Sequence, residues 1–431
     1  MERKMKDSGI PWIGMIPSDW EVCYTKQLMR NKSIKGFPDE QVLSLYRDYG
    51  VVPKDSRDDN HNVTSEDTAS YKLVEVGDFV INKMKAWQGS MAISAYRGII
   101  SPAYYICRFT NESVNRRYIH YLLRNETYKT EYRRLSTGLR VGQWDLNIDD
   151  FLHIPAILPP LPTQQRIADF LDRKCAEIDE LAALQETMIA ELKRYKQSVI
   201  TEAVTKGLDT NVPMKDSGVE WIGEIPEGWM VRKIKDVAFF LNGDRGKNYP
   251  SGDDMVKEGI YFLTSNNIRG IIVDCDVEIS KFITLERYNI LGGAKIQLND
   301  IIYCLRGSIG NCAINKKLTQ GTVASSLMTI RPTHISSDFL NYYLHSQMVK
   351  FQTEEYMNGS CAANLSAENV SRYIVMVPPL AEQRAIADCL DRKCAEIDEL
   401  IAIKHQKIEA LKEYKKSVIF EYVTGKKEVE G

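Results

Sequence analysis

Apolar residues recur at Ile167, Leu171, Ile178, Leu181, Met188, Leu192, Tyr195 and Val199, spacings of three, four or seven that lay one stripe along a helix. From Thr163 to about Thr205 nothing interrupts it, since no proline follows Pro162 and the next glycine is Gly207. The pattern returns at Ile386, Leu390, Ile397, Leu400, Ile408, Leu411, Tyr414 and Val418, ending near Gly425. At 1.5 Å per residue, ~40 residues make a rod of about 60 Å, too long to be stable unless something covers its stripe. The natural partner is the other copy, packed as an antiparallel coiled coil. Pro159, Pro160 and Pro162, with Pro378 and Pro379, stop either helix from extending backwards.

The rest of the chain has no such period. Short alternating or apolar runs predict strands at Phe79 to Ile81, Tyr104 to Cys107, Ile260 to Leu263, Ile301 to Leu305 and Thr329 to Ile330. Helical stretches fall near Arg117 to Arg133 and Ser337 to Tyr356, and strand-like runs from His153 to Pro159 and from Tyr373 to Pro378 lead into the prolines. The expected class is therefore α+β: two mixed α/β domains separated by two long helices, with an internal repeat.

Self-comparison supports the duplication. Met5 to Trp20 reads MKDSGIPWIGMIPSDW and Met214 to Trp229 reads MKDSGVEWIGEIPEGW. Ala168 to Leu181 and Ala387 to Leu400 differ at one position in fourteen, and the likeness continues weakly through LKRYKQSVITEAVTKG at Leu192 and LKEYKKSVIFEYVTGK at Leu411. Residues 21 to about 157 and 230 to about 376 show little resemblance to each other. Free drift of a duplicated half would blur scaffold and interior alike. A near-identical scaffold around divergent interiors points to two halves with a common frame and different tasks.

At 431 residues, 44% hydrophobic and 26% charged, the chain has enough apolar surface for more than one core and is not disordered wholesale. No stretch reaches the ~18 uninterrupted apolar residues of a membrane span, and MERKMKDSG lacks the apolar centre of a signal peptide, so a soluble cytoplasmic protein is expected. Nine cysteines without a CxxC pair indicate neither a zinc site nor a disulfide framework, and six scattered histidines read as surface or packing residues; no metal is expected.

The net charge of -2 conceals a local asymmetry. Segment 116–140 carries seven basic residues against Glu126 and Glu131, a local +5, and 303–331 has Arg306, Lys316, Lys317 and Arg331 with no acid. The helix start 168–181 is a net -3. Basic surface interleaved with amides, aromatics and glycine loops suits duplex DNA, where phosphate contacts position and Arg, Lys, Asn or Gln forks read base edges. Candidate reading residues in the first domain are Lys83, Lys85, Trp87 and Gln88 in NKMKAWQGS, and Gly138, Arg140 and Gln143 in TGLRVGQW. In the second they are Arg245, Lys247 and Asn248 (GDRGKNYP), Asn266, Asn267 and Arg269 (TSNNIRG), Arg306 and Ser308 (RGSIGN), and Ser360 and Asn364 (NGSCAAN). Each loop alone reads first as an exposed turn with solvated charge; the set, recurring in two domains of one duplicated chain, shifts that balance. Trp87 and Trp144 are candidates for packing on DNA or in the core.

Catalytic signatures are missing. No GxGxxG follows a strand, no P-loop occurs, and no Asn-Pro-Pro-aromatic or GxSxG motif is present. Pro38-Asp39-Glu40 reads as a surface turn, because no acid-x-lysine follows at nuclease spacing. A fused nuclease or methyltransferase is thereby disfavoured, and a bare coiled-coil adaptor leaves the basic domains unexplained.

Essentially the whole chain resembles the DNA specificity subunits of type I restriction-modification systems. The resemblance rests on MKDSG...WIG..P..W, its second copy from Met214, and the twice-occurring PPL...Q..IA..LD.K..EID at Pro159 to Asp179 and Pro378 to Asp398. NKMKAW...ISPAYY and DRGKNYP...FL...NI look similar to known target recognition domains. It implies target recognition domains at 1–160 and 208–379, helical spacers at 161–207 and 380–431, and a non-catalytic subunit that binds double-stranded DNA. Each domain would read half of a split asymmetric site, with the helices as ruler, holding the domains apart with pseudo-twofold symmetry. Two modification (methyltransferase) subunits would dock, with Asp172, Glu177, Asp179, Asp391, Glu396 and Asp398 as candidate points. Restriction subunits would join through the complex. Methyl donor and ATP would belong to those partners, so this chain is expected to need no cofactor.

Overall fold

A computed structural model describes residues 3–56, 68–138, 144–209, 211–358 and 365–429. They belong to two compact units, one formed by Met1–Gln185 with His405–Gly431 and the other by Glu186–Lys404. The division cuts through both long helices, α1 (Leu161–Lys206) and α2 (Leu380–Val423). Each unit thus holds the first part of one helix and the last part of the other.

In unit 1, the Phe170 and Tyr422 rings pack at a tilt with centres 4.3 Å apart and the Lys415 ammonium donates to Asp179 at 2.7 Å. Partner numbers fall as chain numbers rise, so the pair is antiparallel. Unit 2 repeats the arrangement with Lys196 on Asp398 at 2.6 Å. These ion pairs are exposed and contribute little energy; the seam supplies it. Leu171, Cys175, Ile178, Gln185 and Ile189 are buried on α1, and Leu390, Cys394, Ile397 and Ile408 on α2. This is heptad spacing, and it corrects the expected stripe. Leu181, Met188 and Tyr195, with Leu400 and Tyr414, are exposed instead, because they stand seven apart on the row beside a seam of period 3.5.

Both helices start under the prolines. In each, a buried glutamine ties the start to the domain it follows. Gln164 donates to Pro159 O (2.8 Å) and accepts from Asn115 N (2.8 Å); Gln383 donates to Pro378 O (2.7 Å) and accepts from Ser336 N (2.7 Å). The tryptophan repeats explain themselves at the other helix ends. Trp229 in unit 2 and Trp20 in unit 1 are buried beside Gly207 and Gly425, which have φ of 80° and 71°. A Cβ would meet Glu382 Oε1 at 2.9 Å and the Trp229 ring at 3.3 Å at the first, and Pro17 Cδ at 2.4 Å and the Trp20 ring at 3.1 Å at the second, so glycine both turns the chain and lets the tryptophan repeat close over the helix terminus.

The two divergent domains share one sheet. In unit 1 the antiparallel order is Met29–Lys32, Tyr104–Phe109, Phe79–Asn82, Met91–Ile93. In unit 2 it is Ala238–Asn242, Leu327–Pro332, Ile301–Cys304, Cys312–Ile314. Two further helices follow in each, Arg116–Arg124 and Glu126–Leu135, then Ser337–Leu344 and Gln347–Asn358. The single stretches expected here are broken. Asn125 ends one helix and caps the next, its side chain accepting from Thr127 N at 2.9 Å and Tyr128 N at 3.3 Å. The strand-like runs before the prolines, Pro155–Leu158 and Ile374–Val377, pair with Glu21–Tyr24 and Met230–Lys233.

Candidate nucleic-acid interface

In both sheets the third and fourth strands form a hairpin, and its loop is one of the segments marked from sequence. These are residues 83–90 in unit 1 and 305–311 in unit 2. Each is anchored the same way. In unit 1, Lys83 N donates to Ala103 O (3.4 Å) and Lys83 O accepts from Leu146 N (3.0 Å). In unit 2, Leu305 N donates to Ser326 O (2.9 Å) and Leu305 O accepts from Leu365 N (3.1 Å). The hairpin is thereby gripped between the turn entering the second strand and the segment after the second helix. Backbone bonds hold both junctions, so the side chains can differ freely.

Around the first junction, Lys85 and Gly138 are exposed while Lys83 and Gln88 are half-buried. The Lys83 ammonium lies 3.8 Å from Asp145. Trp87 donates its ring N–H to Met84 O at 3.2 Å, and its ring lies 5.6 Å from that of Trp144, over which the Arg133 guanidinium sits at 5.9 Å. The two tryptophans thus brace each other, leaving Trp87 half-buried. Arg140 and Gln143 lie outside the described residues. Sequence reading missed Lys72, whose ammonium donates to Pro102 O (3.2 Å) and Tyr104 O (2.7 Å). Burial, then Lys83 and Lys35, push its pKa down. Besides burial, the nearby positive charges of Lys83 and Lys35 disfavour the charged form of Lys72, an environment an anion relieves.

At the second junction the turn Ala324–Ser326 gathers the other loops. Ala324 N donates to Leu263 O at 2.8 Å, next to the 264–270 loop, and the Arg245 guanidinium donates to Ser325 O at 3.4 Å. Gly243 packs so closely that a Cβ would stand 2.3 Å from Ala324 O. No motif signals this turn, which sequence reading passed over. Arg245, Lys247, Asn266, Arg269, Arg306 and Ser308 are exposed, and Asn248 is half-buried. Asn267 is a correction, because its side chain is fully buried. It accepts from Thr264 N (2.9 Å) and donates to Asp274 O (2.9 Å) and Ser280 Oγ (3.0 Å), so its amide shapes the loop and is not free to read a base. Ser360 and Asn364 lie outside the described residues.

Residues 17–194 and 226–413 match the type I restriction modification DNA specificity domain. The chain belongs to that family. This specificity subunit is 25% identical over 435 residues to the type I restriction enzyme MjaVIII specificity subunit of Methanocaldococcus jannaschii, covering 95% of this chain and 93% of the relative. Its fold is similar to a chain from a structure described as showing complex assembly and conformational transition of the type I R-M system, with a TM-score of 0.71, 14% identity and coverage of 95% and 98%. The HsdS subunit of Thermoanaerobacter tengcongensis aligns with a TM-score of 0.51 at 15% identity, covering 95% and 98%.

The charge asymmetry of the specificity subunit is partly resolved internally. In the basic segment, Arg117 pairs with Asp169 and Asp172, Lys129 with Glu126, and Arg134 with Glu131. Arg124 meets His120 at 2.7 Å. In unit 2, Arg331 pairs with Asp300 and Lys316 with Asp338, both at 2.7 Å. Candidate docking acids are engaged as well. Asp172 and Asp391 accept from Tyr121 and Tyr342, Asp179 and Asp398 pair with lysines across the seam, and Glu177 pairs with Lys174; Glu396 is exposed. Among the described residues no group of His, Cys, Asp and Glu could hold a metal, and no helix is long and apolar enough to cross a membrane.

Proposed function

We propose that each recognition domain reads one half of a bipartite asymmetric DNA target through its loop junction, and that the helical spacers at 161–207 and 380–431 set the distance between the half-sites. The observation that carries this is the recurrence of one backbone-held junction in two domains whose exposed side chains differ. A common frame with different readers is what an asymmetric split target requires. Phosphate contacts from Lys35, Lys72, Lys83 and Lys85 in the first domain and Arg245, Lys247, Arg269 and Arg306 in the second fix register, and neighbouring amides and hydroxyls such as Gln88, Asn248, Asn266 and Ser308 discriminate bases. The chain itself is non-catalytic. Two modification subunits dock on the helices at the acidic positions 177, 179, 396 and 398, since Asp172 and Asp391 are taken by tyrosines of the recognition domains; restriction subunits join through that complex, and the partners bring methyl donor and ATP.

The test is a single-molecule methylome of cells expressing the cognate modification subunit with and without this chain. A split, asymmetric methyladenine motif appearing only with the chain is expected. A stable complex that adds no motif overturns the reading.

A further inference from the structure

Each recognition domain is joined to its own helix by a tyrosine hydroxyl and an aspartate. Tyr121 donates to Asp172 at 2.8 Å in unit 1, and Tyr342 donates to Asp391 at 2.6 Å in unit 2. The aspartates occupy the same place in the repeated block, 219 residues apart. The tyrosines sit on the helices Arg116–Arg124 and Ser337–Leu344, each directly followed by the helix that leads to the loop junction. The latch therefore links the scaffold to the reader's side of the domain through two consecutive helices.

The two latches are not equal. In unit 1 the Arg117 guanidinium also holds Asp172 and reaches Asp169 at 2.6 Å. Aligning Tyr121 with Tyr342 puts Asp338 where Arg117 stands, and Asp338 pairs with Lys316 instead. At this latch unit 2 has the hydroxyl–carboxylate bond without the arginine, beside the ties that Gln383 makes to Ser336 N and Gln197 to His345 O.

We propose that Tyr342 and Asp391, with the doubly secured Tyr121 and Asp172 as their counterparts, are positioning residues that fix the angle of each recognition domain on its helix and so determine which spacer length between half-sites is accepted. This rests on the reading that each domain contacts one half of a split target. Adding one base pair shifts a half-site by about 3.4 Å and turns it by roughly 35°. A rigidly latched domain rejects that displacement, and a domain free to pivot follows it.

The experiment uses the whole chain with its modification subunits, expressed without restriction activity, and reads adenine methylation genome-wide. The wild type methylates one motif at one spacer length. Tyr342→Phe and Asp391→Ala keep both half-site sequences but raise methylation at spacers one base pair shorter or longer by about tenfold, the scale of one charge-assisted hydrogen bond. Asp391→Asn retains an acceptor oxygen and stays near the wild type. Tyr121→Phe changes little until Arg117→Ala is added. Spacer selectivity unchanged in folded Tyr342→Phe and Asp391→Ala complexes overturns the proposal, as does equal broadening in Asp391→Asn and Asp391→Ala. Should Tyr342→Phe fail to accumulate, Asp391→Ala decides alone, since Asp391 lies on the exposed helix surface. A wild-type complex that methylates no split motif refutes the parent reading, an outcome distinct from all of these.

Discussion

Asn266 and Asn267 are neighbours in one loop with opposite fates, and exchanging each for alanine separates loop construction from DNA reading. Asn267 is 0% exposed and bonds to Thr264 N, Asp274 O and Ser280 Oγ at 2.9 to 3.0 Å. Asn267→Ala removes three hydrogen bonds to part-buried partners, each contributing about 0.5 to 1.5 kcal/mol, for a total near 3 kcal/mol. For a unit of this size, that lowers the melting temperature by roughly 10 °C. Asn267→Asp goes further, turning an acceptor toward Asp274 O and burying charge. Asn266 is exposed, so Asn266→Ala stays within about 0.5 kcal/mol of the wild type. Its effect appears in the methylated motif of the second half-site. Thermal unfolding of the purified chain and a methylome of the complex make the comparison. An Asn267→Ala protein that melts like the wild type yet selects a different half-site refutes the assignment of that amide to structure.

Arg306→Ala is expected to weaken DNA binding and reduce the slope of log affinity against log salt by about 1, as for one lost phosphate contact; unchanged affinity and slope in titrations at several salt concentrations would remove Arg306 from the interface. Gly89 has φ of 77° and a Cβ there would meet the Lys129 side chain at 2.4 Å, so Gly89→Ala should cost about 1 to 2 kcal/mol in urea unfolding, and a neutral result would show that the hairpin relaxes. His120 is pushed down to about 3, first by burial and then by Arg124. An unfolded imidazole takes up its proton near 6.5, so between those values the unfolded state binds more protons, and stability present above about pH 6.5 is lost as pH falls toward 3. His120→Gln should therefore lose less stability than the wild type between pH 7 and about 5; identical acid sensitivity would show that another group governs it.

The long helices were legible because a stripe forty residues long leaves a strong period, and the buried Leu171, Ile178, Leu390 and Ile397 lie on it. The seam itself was read one row too broadly, since Leu181 and Tyr195 are apolar without being covered. The common sheet was not legible. Ile301–Cys304 is buried throughout, so its residues do not alternate, and the matching strand Phe79–Asn82 has an unrelated sequence of four residues. The loops could be picked out by glycine and charge. Their convergence on Ala103 and on Ala324–Ser326 could not, because backbone bonds create it and no side-chain pattern reports such bonds. The fate of Asn267 was hidden for the related reason that its partners, Asp274 and Ser280, lie beyond the motif.

The assignment of residues 405–431 to unit 1 bears on how the chain is made. The Tyr118 hydroxyl donates to Val423 O at 3.0 Å across 305 positions of sequence, and the Lys426 ammonium donates to Ile13 O at 3.1 Å. Unit 2 is one uninterrupted stretch, Glu186–Lys404. During translation the usual order, in which the amino-terminal domain closes first, is therefore inverted: the interior unit has all its residues in hand while the first-made domain still lacks its final helix. At about 5 to 20 residues per second, that domain waits some ten seconds or more with the surface around Tyr118 and Trp20 uncovered. The nascent first half is a platform with a vacancy for a helix end, and the ribosome delivers that end only after the whole of unit 2.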